Sequence, residues 1–259
     1  MIRKMLEIGR ARHRSRDQVA VQKWPTHLVI VRHGQSERNA RGQAAKLNGQ
    51  ASFHQGLRDA DTRLTAWGQK QALLTGEFLA KRYRFDAAFS SPYLRARQTA
   101  DAILDAYDQA PRVLLEERVR EIEFGILDGL TWDGVKVRYP EEYARCEREG
   151  KYWYRPPGGE NRPDVALRVK DFLGTLARDY RQKSVLVVCH SVVVLIFRRL
   201  LERWDEAQYL EIDAKDDVLN CAVTAYRYDH SAGKLKLEMY NSVCYSNADR
   251  GNNSYARAS

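Results

Sequence analysis

Leu28-Val29-Ile30-Val31 and Val185-Leu186-Val187-Val188-Cys189 are each apolar without a break, and each leads into a histidine turn. An unbroken aliphatic run of this length, without polar alternation, suits a strand covered on both faces. The pattern therefore predicts central parallel strands over 27–32 and 184–189. Elsewhere apolar positions recur at helical spacing, which predicts helices over about 66–83, 92–107, 164–180 and 191–203. Thr65 is the expected N-cap of the first. Short runs at 86–90, 112–117, 219–228 and 234–240 predict four further strands. Strands and helices thus alternate, the order of an α/β protein with a parallel sheet.

Two segments break the alternation. Residues 39–63 are polar, rich in Gly, Gln and Ala, and without a clear period, so they read as a long loop. Residues 121–160 carry Gly125, Gly129, Gly134 and Pro140, then Tyr152-Trp153-Tyr154 and Pro156-Pro157-Gly158-Gly159. They read as short helices and loops inserted over the sheet edge. Residues 1–24 read as a basic N-terminal arm, 25–245 as one domain and 246–259 as a polar C-terminal tail.

Composition narrows the setting. Of 259 residues 44% are hydrophobic and 30% charged, as in a soluble globular protein. No apolar run approaches the roughly 20 residues that span a bilayer, so no membrane association is expected. The basic arm lacks the apolar segment of a secretory signal. Cys146, Cys189, Cys221 and Cys244 show no CxxC spacing, so neither a metal site nor a disulfide framework is expected. The expected compartment is the cytoplasm. A net charge of +9 favours anionic ligands. Its basic residues are spread along the chain, which favours a small phosphorylated substrate over nucleic acid.

Both central strands end on a histidine, His33 after Arg32 and His190 after Cys189. The strand at 86–90 leads into Ser91-Pro92-Tyr93-Leu94-Arg95. Parallel neighbours would bring both imidazoles and Arg95 to one edge of the sheet. With Arg32-His33-Gly34, Ser90-Ser91-Pro92 through Ala100, Arg120-Glu121-Ile122-Glu123-Phe124-Gly125 and the strand ending on His190 in this order, the chain resembles the histidine phosphatase superfamily over roughly residues 27–230. The resemblance implies a three-layer α/β/α sandwich with a mostly parallel central sheet, as in phosphoglycerate-mutase-like proteins.

It also implies a reaction and its residues. His33 would be the nucleophile that forms a phosphohistidine, and Arg32, Arg95 and His190 would bind the phosphoryl oxygens. Glu121 would be the acid and base, with Glu123 its nearest rival. Ser36, Asn39 and Ser191 are candidate substrate ligands, although capping the following turn is nearly as good a reading for Ser36. Ser191 stands where many members have Gly. Arg38 and Arg97 read as solvated charges. No cofactor or metal is called for. The Arg155-Pro156-Pro157-Gly158-Gly159-Glu160-Asn161 element resembles phosphatase-type members, which ranks a phosphomonoesterase above a phosphoglycerate-type mutase, and both above a silent phosphate-binding protein. The exposed face of the strand at 234–240 is the candidate edge for a homodimer.

Overall fold

The two apolar runs lie side by side at the centre of one six-stranded sheet. β1 (His27–Arg32) pairs in parallel with β4 (Ser184–Cys189), from His27 opposite Ser184 to Arg32 opposite Cys189. β2 (Ala87–Ser90) and β3 (Val113–Leu115) continue the parallel sheet beyond β4. On the other side β5 (Val223–Asp229) and β6 (Lys234–Ser242) run antiparallel, which gives the order β3-β2-β4-β1-β5-β6 and leaves β6 at the edge. The computed structural model describes residues 22–53, 56–215 and 217–246. Most of the basic arm and of the polar tail lie outside them.

Successive strand residues point to opposite faces, and here both faces are covered. Leu28, Ile30, Val185 and Val187 pack with Phe172 and Leu176 of α6 (Arg162–Asp179) and Phe197 of α7 (Ser191–Glu202). Val29, Val31, Leu186 and Val188 pack with Leu79 of α2 (Ala66–Ala80) and with Ala100 and Ile103 of α3 (Leu94–Leu104). The result is the three-layer sandwich that the resemblance implied.

The structure corrects the reading of residues 39–63 as a loop. Residues Glu37–Leu47 form α1, closed at its start by a capping box between Ser36 and Asn39. Its single buried residue is Ala45, so it has no apolar stripe by which a helix is recognised in sequence. α8 (Glu206–Lys215) went unpredicted for the same reason, since only Tyr209 is buried. The 121–160 segment holds α4 (Trp132–Arg138) and α5 (Pro140–Glu149), short helices as expected.

Gly34 meets Gly68 of α2 backbone to backbone. A Cβ on Gly68 would lie 2.0 Å from the Gln35 carbonyl oxygen, and one on Gly34 2.4 Å from the Gly68 oxygen. Neither wall is a side chain that could rotate aside. Gly68→Ala is expected to cost about 3 kcal/mol or more, the upper end of overpacking penalties. Gly174→Ala in α6, which has open space around it, should instead stabilise by about 0.5–1 kcal/mol. Urea unfolding of the two variants checks the contrast.

Candidate active site

Because β1 and β4 are parallel and in register, they release His33 and His190 at the same end of the sheet. The His33 N–H donates to the Cys189 carbonyl at 2.9 Å, and the Cys221 N–H reaches the Arg32 and His33 carbonyls at 3.0 and 3.2 Å. Asn220 Nδ2 also donates to the His33 carbonyl, at 3.0 Å. The turn is therefore fixed by its backbone from both flanking strands.

The two imidazoles stand edge to face, with centroids 5.0 Å apart. His33 Nδ1 lies 2.7 Å from the Gly34 carbonyl oxygen, and Arg95 Nε donates to His33 Nε2 at 3.1 Å. Burial, reinforced by the Arg95 and Arg32 charges, holds the His33 pKa well below 6.5. The ring is then neutral, its hydrogen assigned to Nδ1 by the Gly34 carbonyl and its lone pair left on Nε2. His190 is held neutral by burial and by Arg95, then His33 and Arg32. Its Nε2 lies 2.8 Å from Ser91 Oγ, and its buried Nδ1 has no protein partner.

Arg95 enters from the first turn of α3 and is 3% exposed. Its Nη1 and Nη2 grip the two carboxylate oxygens of Asp59 at 2.9 and 3.0 Å. Arg38 corrects the expectation of a solvated charge: its Nε lies 3.0 Å from the same Asp59 oxygen, and its Nη2 bonds Asp128. Thr99 ties the parts together, accepting from the Gly34 N–H at 3.0 Å and donating to the Arg95 carbonyl at 2.7 Å.

Arg32, His33, Asn39, Arg95, Glu121 and Ser191 all line one cavity of about 370 Å³, together with Arg38 and Asp59. Glu121 is 7% exposed, and burial raises its pKa above the usual carboxylate range against the opposing pull of the Ile122 N–H and of Arg95 and Arg32. Glu123, its rival, lies outward and exposed. Ser191 Oγ is 3.5 Å from Glu121 Oε2. Ser36 is not part of the cavity wall. Like His190, which is also absent from the wall, it is fully buried, and its hydroxyl accepts the Asn39 N–H at the start of α1, the capping role the sequence also allowed.

With this geometry, residues 28–241 match the family model of the histidine phosphatase superfamily (branch 1). The chain belongs to this superfamily. It is 34% identical over 195 residues to a 2,3-bisphosphoglycerate-dependent phosphoglycerate mutase of Methylobacterium radiotolerans, covering 74% of this chain and 86% of that one. It is 31% identical over 170 residues to 6-phosphofructo-2-kinase/fructose-2,6-bisphosphatase 3 of Bos taurus, covering 65% of this chain but 32% of that longer protein. Among solved structures, a mycobacterial glucosyl-3-phosphoglycerate phosphatase complexed with VO3 superposes with a TM-score of 0.63 at 25% identity, over 84% of this chain and 99% of that one.

Several residues that shape this histidine phosphatase site gave no signal in sequence. Asp59 lies in the segment that reads as a loop, and Arg168 belongs to none of the motifs. Arg168 Nη1 donates to the Arg118 and Arg120 carbonyls at 2.8 and 2.7 Å, and its Nη2 to the Glu121 carbonyl at 3.2 Å. Glu160 pairs with Arg168 and Arg120 and accepts the Glu123 N–H. The Glu160 that follows Gly158-Gly159 is thus a clamp on the backbone that carries Glu121. Arg168→Ala should cost about 2 kcal/mol, less than a fully buried pair because both side chains keep some exposure. It should also lower kcat about 10–100-fold by loosening Glu121, with KM little changed. A shift of the pH limb governed by Glu121 separates positioning from general destabilisation.

Proposed function

We propose that this histidine phosphatase superfamily member is a cytoplasmic phosphomonoesterase that hydrolyses a small phosphorylated metabolite without a metal, through a phosphohistidine on His33. The observation that carries the reading is a neutral, buried His33 whose Nε2 lone pair faces a guanidinium, in one cavity with a carboxyl group biased toward its protonated form. Phosphoryl transfer asks little else of a protein than an in-line nucleophile, cations on the equatorial oxygens and a proton for the leaving group.

His33 Nε2 attacks phosphorus and the bond to the alcohol oxygen breaks. Glu121 gives its proton to that oxygen, and the alcohol departs. Glu121, now a carboxylate, takes a proton from water; the water oxygen attacks phosphorus, the N–P bond breaks, and inorganic phosphate and neutral His33 return. Arg32 and Arg95 hold the equatorial oxygens. The phosphate takes the Arg95 fork from Asp59, one anion replacing another on the same nitrogens. If the Ser91 hydroxyl donates to His190 Nε2, the unpartnered Nδ1–H of His190 is a further donor to phosphate. The start of α7 adds backbone N–H groups.

A mutase is the second reading, favoured by the 34% identity to the Methylobacterium enzyme. Hydrolysis is ranked first on the Arg155-Pro156-Pro157-Gly158-Gly159-Glu160-Asn161 element, which resembles phosphatase-type members, and on the likeness to the glucosyl-3-phosphoglycerate phosphatase structure. The test is phosphate release from a panel of phosphorylated metabolites in the presence of chelator. Turnover by the wild type and none by His33→Ala supports the phosphatase; no release, with transfer between phosphoglycerates only when a bisphosphorylated primer is added, replaces it by the mutase.

A further inference from the structure

Beside the catalytic cavity lies a larger one of about 510 Å³, enclosed by the segment that runs from Ile122 to Arg162. That volume falls in the roughly 300–1,000 Å³ range of small-molecule sites. Its inner wall is apolar, with Ile122, Val135 and Tyr154 between 2% and 4% exposed, and Trp132, 45% exposed, stands at its border. Phe124, Leu127 and Leu130 line both this cavity and the catalytic one. The charged residues of its lining are Glu147, Lys151, Glu160 and Arg162. Glu160 is engaged by Arg120 and Arg168, Lys151 pairs with Asp213, and Arg162 Nε is buried without a hydrogen-bond partner among the described residues.

A phosphate seated on Arg32 and Arg95 therefore has its alcohol half next to the apolar cavity. Resting on the phosphatase reading, we propose that the substrate is the phosphate monoester of a bulky apolar alcohol, aromatic or polycyclic, whose carbon skeleton fills this second cavity. A sugar or polyol placed there would lose water from its hydroxyls against walls of Ile, Val and aromatic carbon, whereas an aromatic skeleton gains from leaving water. Because Phe124, Leu127 and Leu130 line both cavities, the two are adjacent, and one ligand carrying both a phosphate and an apolar body is the occupant that uses them together.

Calorimetric binding of non-hydrolysable phosphonates tests this without depending on turnover. Naphthylmethylphosphonate should bind the full chain at least about tenfold more tightly than methylphosphonate, as pocket discrimination by apolar groups commonly does. Cys146→Phe, which narrows the cavity, and Trp132→Ala, which removes a half-exposed border residue that should not threaten folding, should each cut that ratio severalfold. Equal affinities overturn the proposal, and if the protein also sediments as a dimer the cavity belongs to a second copy. Naphthylmethanol binding as tightly as its phosphonate also overturns it, because the apolar cavity would then act apart from the phosphate site. A tenfold preference in a protein that releases no phosphate from naphthyl phosphate upholds the ligand and overturns the phosphatase reading.

Discussion

Replacing His33 by alanine should abolish phosphate release, with kcat falling about 10^4-fold or more, the scale on which enzymes lose activity with their nucleophile. The loss has a specific signature. Wild-type protein quenched during turnover of a 32P-labelled ester should carry acid-labile, base-stable label, and His33→Ala should carry none. The same substitution has a stability readout independent of turnover. His33 and His190 both have folded pKa values pushed well below 6.5 by burial and neighbouring guanidinium charges. Below pH 6.5 the unfolded chain therefore binds protons that the folded chain refuses. Stability from these groups is fully present above that pH and is lost as pH falls toward the folded values. His33→Ala removes one of the two groups, so its thermal midpoint should fall less steeply with acid than that of wild type. Equal label in both proteins would move the nucleophile elsewhere.

Glu121→Gln is the second large effect, an expected loss of about 10^2–10^4 in kcat on alkyl esters, whose leaving groups need a proton. The glutamine carbonyl can keep the bond from the Ile122 N–H that Glu121 Oε1 accepts at 3.0 Å, so the fold should survive. Aryl esters with acidic leaving groups should keep a rapid first step and accumulate the phosphohistidine, because the water attack still lacks its base. The pH profile supplies the sign. Burial raises the Glu121 pKa, so its proton is available over a wider range, and alkyl-ester turnover should fall as pH rises through that raised value. In Glu121→Gln this basic limb should vanish, while the acid limb set by His33 remains. Linkage runs the other way from His33. A carboxyl with a raised folded pKa contributes stability below about pH 4.5 that is lost as pH rises through the folded value. At neutral pH the glutamine variant should thus be at least as stable as wild type. A variant that retains the basic limb would transfer the role to another acid, and Asp59, on the cavity wall, would be the next to replace.

Both variants act on residues legible in the sequence, and the reason is local. His33 and His190 follow uninterrupted apolar runs, so the strand that positions each histidine can be read from the residues before it. Arg95 and Glu121 were readable because they sit in short ordered motifs. Ser36 stayed open between cap and ligand, since a hydroxyl that caps a helix and one that binds substrate look alike until the helix is seen. The α1 helix escaped notice because it buries only Ala45 and leaves no periodic trace.

The sequence by itself determined the α/β order of elements, the two central strands and the histidine that follows each, because these depend on near-neighbour pattern; Arg32, Arg95 and Glu121 were indicated by the ordered motifs of the resemblance. Tertiary structure alone decided what each of these groups faces. It placed Asp59 on the Arg95 fork, Arg38 between two carboxylates, Arg168 and Glu160 under the Glu121 backbone, and Gly34 against Gly68. It also set the burial that keeps His33 neutral and raises the Glu121 pKa, and placed a second, mainly apolar cavity against the phosphate site through shared lining residues. Such contacts link positions from 21 to 90 residues apart, and desolvation is a property of the packed interior, so no short window of sequence contains them.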